Sequence, residues 1–71
     1  MAERVLKDIT GRRVQLSRRA KRIVGRAHWR EFSKVKGTVL GHPWPDWPEW
    51  DVYWDTGLKY AYKRDYLDVL P

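Results

Sequence analysis

Asp51-Val52-Tyr53-Trp54-Asp55-Thr56-Gly57-Leu58-Lys59-Tyr60-Ala61-Tyr62-Lys63 is the stretch on which the fold turns. Two runs rich in β-branched and aromatic residues flank Asp55-Thr56-Gly57. A three-residue connection with glycine last predicts a β-hairpin whose type I turn ends in a left-handed residue. Only glycine takes that conformation without a steric cost. The third strand is therefore expected over 51–54 and the fourth over 58–63, with Tyr60 and Tyr62 on one face and Ala61 on the other.

Working outward, 35–41 is a second strand, rich in β-branched residues and bounded by glycine. Val14 and Leu16 alternate with Arg13 and Gln15, the period of a half-buried first strand. Ser17 then starts a helical turn with Ala20, Ile23 and Val24 on one face and Gly25 as its stop. Arg18 and Arg19 in its first turn oppose the helix dipole, so the turn is expected to be short or 3₁₀-like. The stretch 25–34, with His28, Trp29 and Phe32, is expected to be a loop that tucks its aromatics inward. Beyond the hairpin, Asp65-Tyr66-Leu67 predicts a 3₁₀ turn and 68–70 a last short strand. Val5, Leu6 and Ile9 give residues 1–10 the spacing of a short helix ended by Gly11, although a tail is the alternative at a chain end. This divides the chain into an N-terminal extension, 1–10, and one domain, 11–71.

Four or five short strands, a long connection after the first and one tight hairpin imply a mainly β fold. A small closed or half-closed barrel would remove most exposed strand edges. The order of elements resembles an SH3-like barrel. The likeness is carried by Arg13-Val14-Gln15-Leu16, Lys36-Gly37-Thr38-Val39-Leu40-Gly41, the Val52–Gly57 hairpin motif and the closing Tyr62 with Asp65-Tyr66-Leu67-Asp68-Val69-Leu70. These look like small SH3-like proteins, many of them phage-encoded, and are similar to Mib–Herc2, KOW and Tudor-type barrels. The resemblance implies a fold of four to five strands with a short helical turn after the first. It implies no activity, because such folds host many unrelated functions. The chain lacks the ALYDY-like motif of signalling SH3 domains, so proline-peptide recognition does not follow from it.

Composition narrows the function classes. At 71 residues the chain makes one small domain, and its ten aromatic side chains can build a core that its few aliphatic residues cannot. It has no cysteine, which removes disulfides, thiolate metal sites and a cysteine nucleophile, and makes a cytoplasmic location the expectation (host cytoplasm if phage-encoded). The charge is split: residues 1–36 carry twelve Lys/Arg and three acids, whereas 37–71 carry three Lys/Arg and six acids. A basic segment of this kind attracts polyanions, unless its charges are spent on the acidic half of the same fold.

Two segments offer themselves to partners. Arg12, Arg13, Arg18, Arg19, Lys21, Arg22, Arg26 and Arg30, interleaved with His28 and Trp29, suit the phosphates of a nucleic acid, bound with little sequence selectivity. His42-Pro43-Trp44-Pro45-Asp46-Trp47-Pro48-Glu49-Trp50 repeats tryptophan every third residue, the period of a polyproline II helix. Trp44, Trp47 and Trp50, with Tyr53, Tyr60 and Tyr62 of the hairpin, are the candidate protein-partner surface. The alternative is that these indoles close the end of the barrel. Asp46 and Glu49 would repel phosphate, so this loop suits a neutral or cationic partner. Asp55 with Tyr53, Tyr60 or Tyr62 has the composition of a cage for a methylated ammonium group, set against plain sheet packing of the same rings. No metal, cofactor or small-molecule substrate is expected: His28 and His42 lack ligand partners at metal spacing, and Ser17 and Ser33 lack a nucleophile context. The basic 17–25 segment is too short for a membrane-surface helix. The expectation is a non-catalytic binding module.

Overall fold

The computed structural model describes residues 8–71, and of the N-terminal extension only Asp8, Ile9 and Thr10 fall within it. Five strands form one antiparallel sheet: β1 (Arg13–Leu16), β2 (Gly37–Gly41), β3 (Glu49–Trp54), β4 (Lys59–Lys63) and β5 (Leu67–Val69). Their order is β4-β3-β2-β1-β5. A 3₁₀ helix, Arg18–Arg22, follows β1, a second, Arg64–Tyr66, joins β4 to β5, and one α-helix, α1, spans Arg26–Phe32. The fold is thus mainly β, with the expected helical turn after the first strand, but the sheet is not closed into a barrel. Strands β4 and β5 are its two edges. Only the second 3₁₀ turn separates them in sequence, and four Cα–Cα steps at ~3.6 Å each bring the end of one edge within about 14 Å of the start of the other. The sheet is therefore strongly curled.

The hairpin forms as its sequence predicts. Gly57 N–H donates to Trp54 O and Trp54 N–H to Leu58 O, both at 2.8 Å, and Gly57 sits at φ 97°. The stretch 25–34 differs from expectation. It contains α1, started by Gly25 at φ 91°, and buries Phe32 while half-burying His28 and Trp29. The spacing of those three aromatics is helical, and Ala27 before them with Arg30 and Glu31 between them are good helix formers. Their inward packing needed a helix rather than a loop.

Period-2 alternation sets the two faces of the sheet. Val14, Leu16, Val39, Trp50, Val52, Trp54, Tyr62 and Leu67 point inward and join Ile9, Ala20 and Phe32 in one core. Burying one indole such as Trp54 removes roughly 150–250 Å² from water, worth about 4–6 kcal/mol at ~25 cal/mol/Å². Gly37 permits the close packing of β2 on β3: a Cβ there would lie 2.8 Å from both Trp54 Cε3 and Val52 Cγ1. Ser17 begins the first 3₁₀ turn, yet its hydroxyl makes no capping bond and instead donates to Asp65 O at 2.9 Å. With Ser17 N–H on Tyr66 O, it ties the two 3₁₀ turns together.

Candidate nucleic-acid interface

The eight basic residues singled out from sequence are all exposed, and the fold sends them to two places. Arg12 and Arg13 lie at the start of β1, Arg13 on the outer face of the sheet. Arg18, Arg19, Lys21 and Arg22 ride on the first 3₁₀ helix, and Arg26 and Arg30 on α1. Positions 26 and 30 are one helical turn apart and share a face, while His28 and Phe32 turn inward. The two helices follow one another through Ile23, Val24 and Gly25 and are in contact, so six cations share one helical layer.

Among the described residues, two of the eight are engaged by the protein's own carboxylates. Arg13 grips Asp55 with both nitrogens, at 2.9 and 2.6 Å, and also donates to Thr38 Oγ1 at 2.9 Å. That hydrogen bond holds the Asp55 carboxyl below the usual carboxylate range and the guanidinium above its own. Arg13 is thereby withdrawn from the polyanion surface. Arg19 makes a single 3.3 Å contact with Asp65 between two exposed side chains, the kind of pair that contributes little and exchanges readily. Among the described residues, Arg18, Lys21, Arg22, Arg26 and Arg30 form no ion pair. Neither helix has an acid in its first turn. Arg18 and Arg26 open the two helices, where the dipole disfavours a cation, whereas Lys21, Arg22 and Arg30 lie in the last turns, where it favours one.

The tryptophan loop is not a polyproline II helix. Trp47 N–H donates to Trp44 O at 3.1 Å, closing a turn over Pro45 and Asp46. Trp44 and Trp47 meet edge to face at 5.3 Å and remain 60% and 44% exposed. Trp50 does not join them. As part of β3 it is buried, with the His42 ring against it at 3.7 Å. His42 Nδ1–H donates to Glu49 O at 2.9 Å, so this histidine fastens the base of the loop. The cage imagined around Asp55 is also absent: its carboxylate is held by Arg13, and Tyr53 faces the opposite side of the sheet from Tyr60 and Tyr62.

Sequence reasoning missed a cleft of about 270 Å³ between the connection from the 3₁₀ helix to α1 and strand β4. Ile23, Val24, His28, Glu49, Tyr60 and Tyr66 line it, and buried Tyr62 reaches its wall. Tyr60 meets His28 edge to face at 4.9 Å and Phe32 at 5.5 Å. Tyr62 Oη accepts the Trp54 indole N–H at 3.1 Å and also bonds His28 Nε2. Burial pushes the Tyr62 phenol up to about 12 and the His28 imidazole down, the latter offset in part by Glu31. Both groups are thus neutral at pH 7. With α1 read as a loop, nothing in the sequence placed His28 opposite β4.

Among the described residues no cluster of three or more His, Asp or Glu gathers as a metal site would require. No helix there is long and apolar enough to cross a membrane. Compared with protein-family models, curated proteins and solved structures, the chain matches none of them.

Proposed function

We propose that this protein is a non-catalytic module that binds nucleic acid through the cations of its helical layer, reading phosphates rather than base sequence. Five exposed cations on two successive helices, without a carboxylate partner among the described residues, carry the reading, and two of them, Arg18 and Arg26, stand at helix N-termini where the dipole disfavours them. Charge placed against local helix stability is compensated when a polyanion arrives. Strand order β4-β3-β2-β1-β5, with a 3₁₀ turn between the two edge strands, further supports taking the curled sheet as an SH3-like barrel that serves as scaffold. The test is a gel-shift titration at two salt concentrations on wild type and on the triple charge reversal Arg18→Glu, Arg22→Glu, Arg26→Glu. Binding at low salt that the triple variant loses supports the reading. Retention of full affinity by the variant contradicts it.

The exposed, edge-to-face pair of Trp44 and Trp47 favours a second reading, an adaptor that engages a protein through the loop, its phage origin being part of the same resemblance. Exposed apolar pairs beside carboxylates suit a neutral or cationic protein surface. The double variant Trp44→Ala, Trp47→Ala separates the two: it spares nucleic-acid binding under the first reading and abolishes partner capture under the second.

A further inference from the structure

Strand β4 is an edge of the sheet, and its free side opens onto the cleft. Trp54 N–H donates to Leu58 O at the mouth of the hairpin, and antiparallel pairs alternate from there. Val52 with Tyr60 and Trp50 with Tyr62 therefore exchange the ladder bonds. Lys59 and Ala61 turn their N–H and C=O groups, and Lys63 its N–H, away from β3. Among the described residues, no hydrogen bond from outside the sheet reaches them. Such a row is a template for one more strand. Ala61 lines the cleft although its side chain lies on the other face from Tyr60 and Tyr62, so the cleft reaches the backbone of the edge itself.

Two chemistries flank this edge. On the inner face, beside Tyr60 and Tyr62, Ile23, Val24 and Tyr66 line about 270 Å³, roughly nine waters at ~30 Å³ each. Ile23 and Tyr60 stand 57% and 43% exposed there, apolar surface that a partner's side chain would cover. On the outer face Lys59 and Lys63 flank Ala61, both exposed. Neither forms an ion pair among the described residues, and Lys63 lies opposite Glu49 without bonding it. Across the cleft, Arg22 and Arg26 bracket the Ile23-Val24-Gly25 connection. A nucleic acid answers this charge but has no row of amides to complete a ladder. An acidic peptide answers both.

We propose that the β4 edge takes an extended acidic peptide segment as a further strand. Its apolar side chains, opposite Tyr60 and Tyr62, enter the cleft, and its acidic ones lie opposite Lys59 and Lys63 on the outer face. The pattern recognised is acid, apolar, any, apolar, acid, which follows from the period of two and reads the same in either chain direction. This site goes beyond phosphate binding by the helical layer and uses neither Trp44 nor Trp47.

The experiment titrates the end-capped peptide Glu-Val-Thr-Val-Glu into the isotope-labelled full chain at low salt, followed by amide NMR and hydrogen exchange. The amides of Lys59 and Ala61 should shift and slow in exchange, and the signals of Ile23 and Tyr60 should shift with them. Replacing both glutamates of the peptide by lysine should weaken binding by about 2- to 30-fold, the worth of two cross-strand charge pairs. Replacing the central threonine by proline takes away a ladder donor and should weaken it as well. The variant Lys59→Glu with Lys63→Glu should reverse the preference and favour the lysine peptide. Because the peptide comparisons use wild-type protein, a variant that fails to fold leaves them standing. Equal binding of the glutamate and lysine peptides by wild type, unchanged exchange at Lys59 and Ala61, or no binding of any peptide overturns the edge site. Oligo-dT that shifts Ile23 and Tyr60 where the glutamate peptide does not overturns it too.

Discussion

Tyr62 joins the sheet to α1 through one oxygen. It accepts the indole proton of Trp54 and is bonded to the imidazole of His28, so removing that oxygen takes this partner from a buried indole and a half-buried imidazole. Tyr62→Phe is expected to lower unfolding free energy by about 1–3 kcal/mol in urea titrations, although it deletes a single atom. Its raised folded pKa has a pH consequence. The unfolded phenol ionises near pH 10 and the folded one near 12, so the contribution is complete below pH 10 and declines as pH rises to about 12, by up to ~1.4 kcal/mol per unit. Tyr62→Phe should lack this part of the alkaline loss. His28 acts at the other end. Its folded pKa lies below the ordinary value, so its contribution is present above about pH 6.5 and is lost as acid protonates the half-buried ring. Urea midpoints at pH 7.5 and 5.0 should differ less in His28→Gln than in wild type. Gly37→Ala tests close packing instead: the new methyl would meet Trp54, Val52 and the Tyr53 carbonyl at once, with an expected cost of about 1–3 kcal/mol.

At the scale of elements, α1 and the 3₁₀ helix before it each open on a cation that opposes the dipole, Arg26 and Arg18. Arg26 opens α1, no acid follows in the first turn, and Gly25 offers no side-chain cap. Arg26→Glu is therefore expected to stabilise the helix by about 0.3–1 kcal/mol, visible as a raised Tm, while weakening nucleic-acid binding and lowering the magnitude of its salt slope by about 1. Opposite signs in the two measurements distinguish a cation kept for a ligand from one kept for the fold. The β3–β4 hairpin was legible because its turn is a local matter: Asp55-Thr56-Gly57 sets the geometry within five residues. Helix α1 was less so. Seven residues give barely two turns of periodicity, and its opening by a glycine at positive φ erased the usual start signal.

For the whole molecule, alternation within strands and the split of charge along the chain could be read directly, and they correspond to the curled sheet and the cationic helical layer. Pairings across the fold were not legible. Arg13 with Asp55 spans 42 positions and Arg19 with Asp65 spans 46, and no local pattern announces which basic residues meet a carboxylate. The cleft stayed hidden for the same reason, since His28, Glu49 and Tyr60 come from three separate elements. The burial of Trp50 follows from strand register: the triplet spacing of the tryptophans carried it outward in a polyproline reading, whereas pairing with Tyr62 turns it into the core.

Salt dependence of affinity tests most directly whether the exposed cations of the helical layer bind phosphate. With four duplex phosphates contacted, log K against log salt should fall with a slope of about −3.6. A slope near zero, or no binding at low salt, would contradict the account.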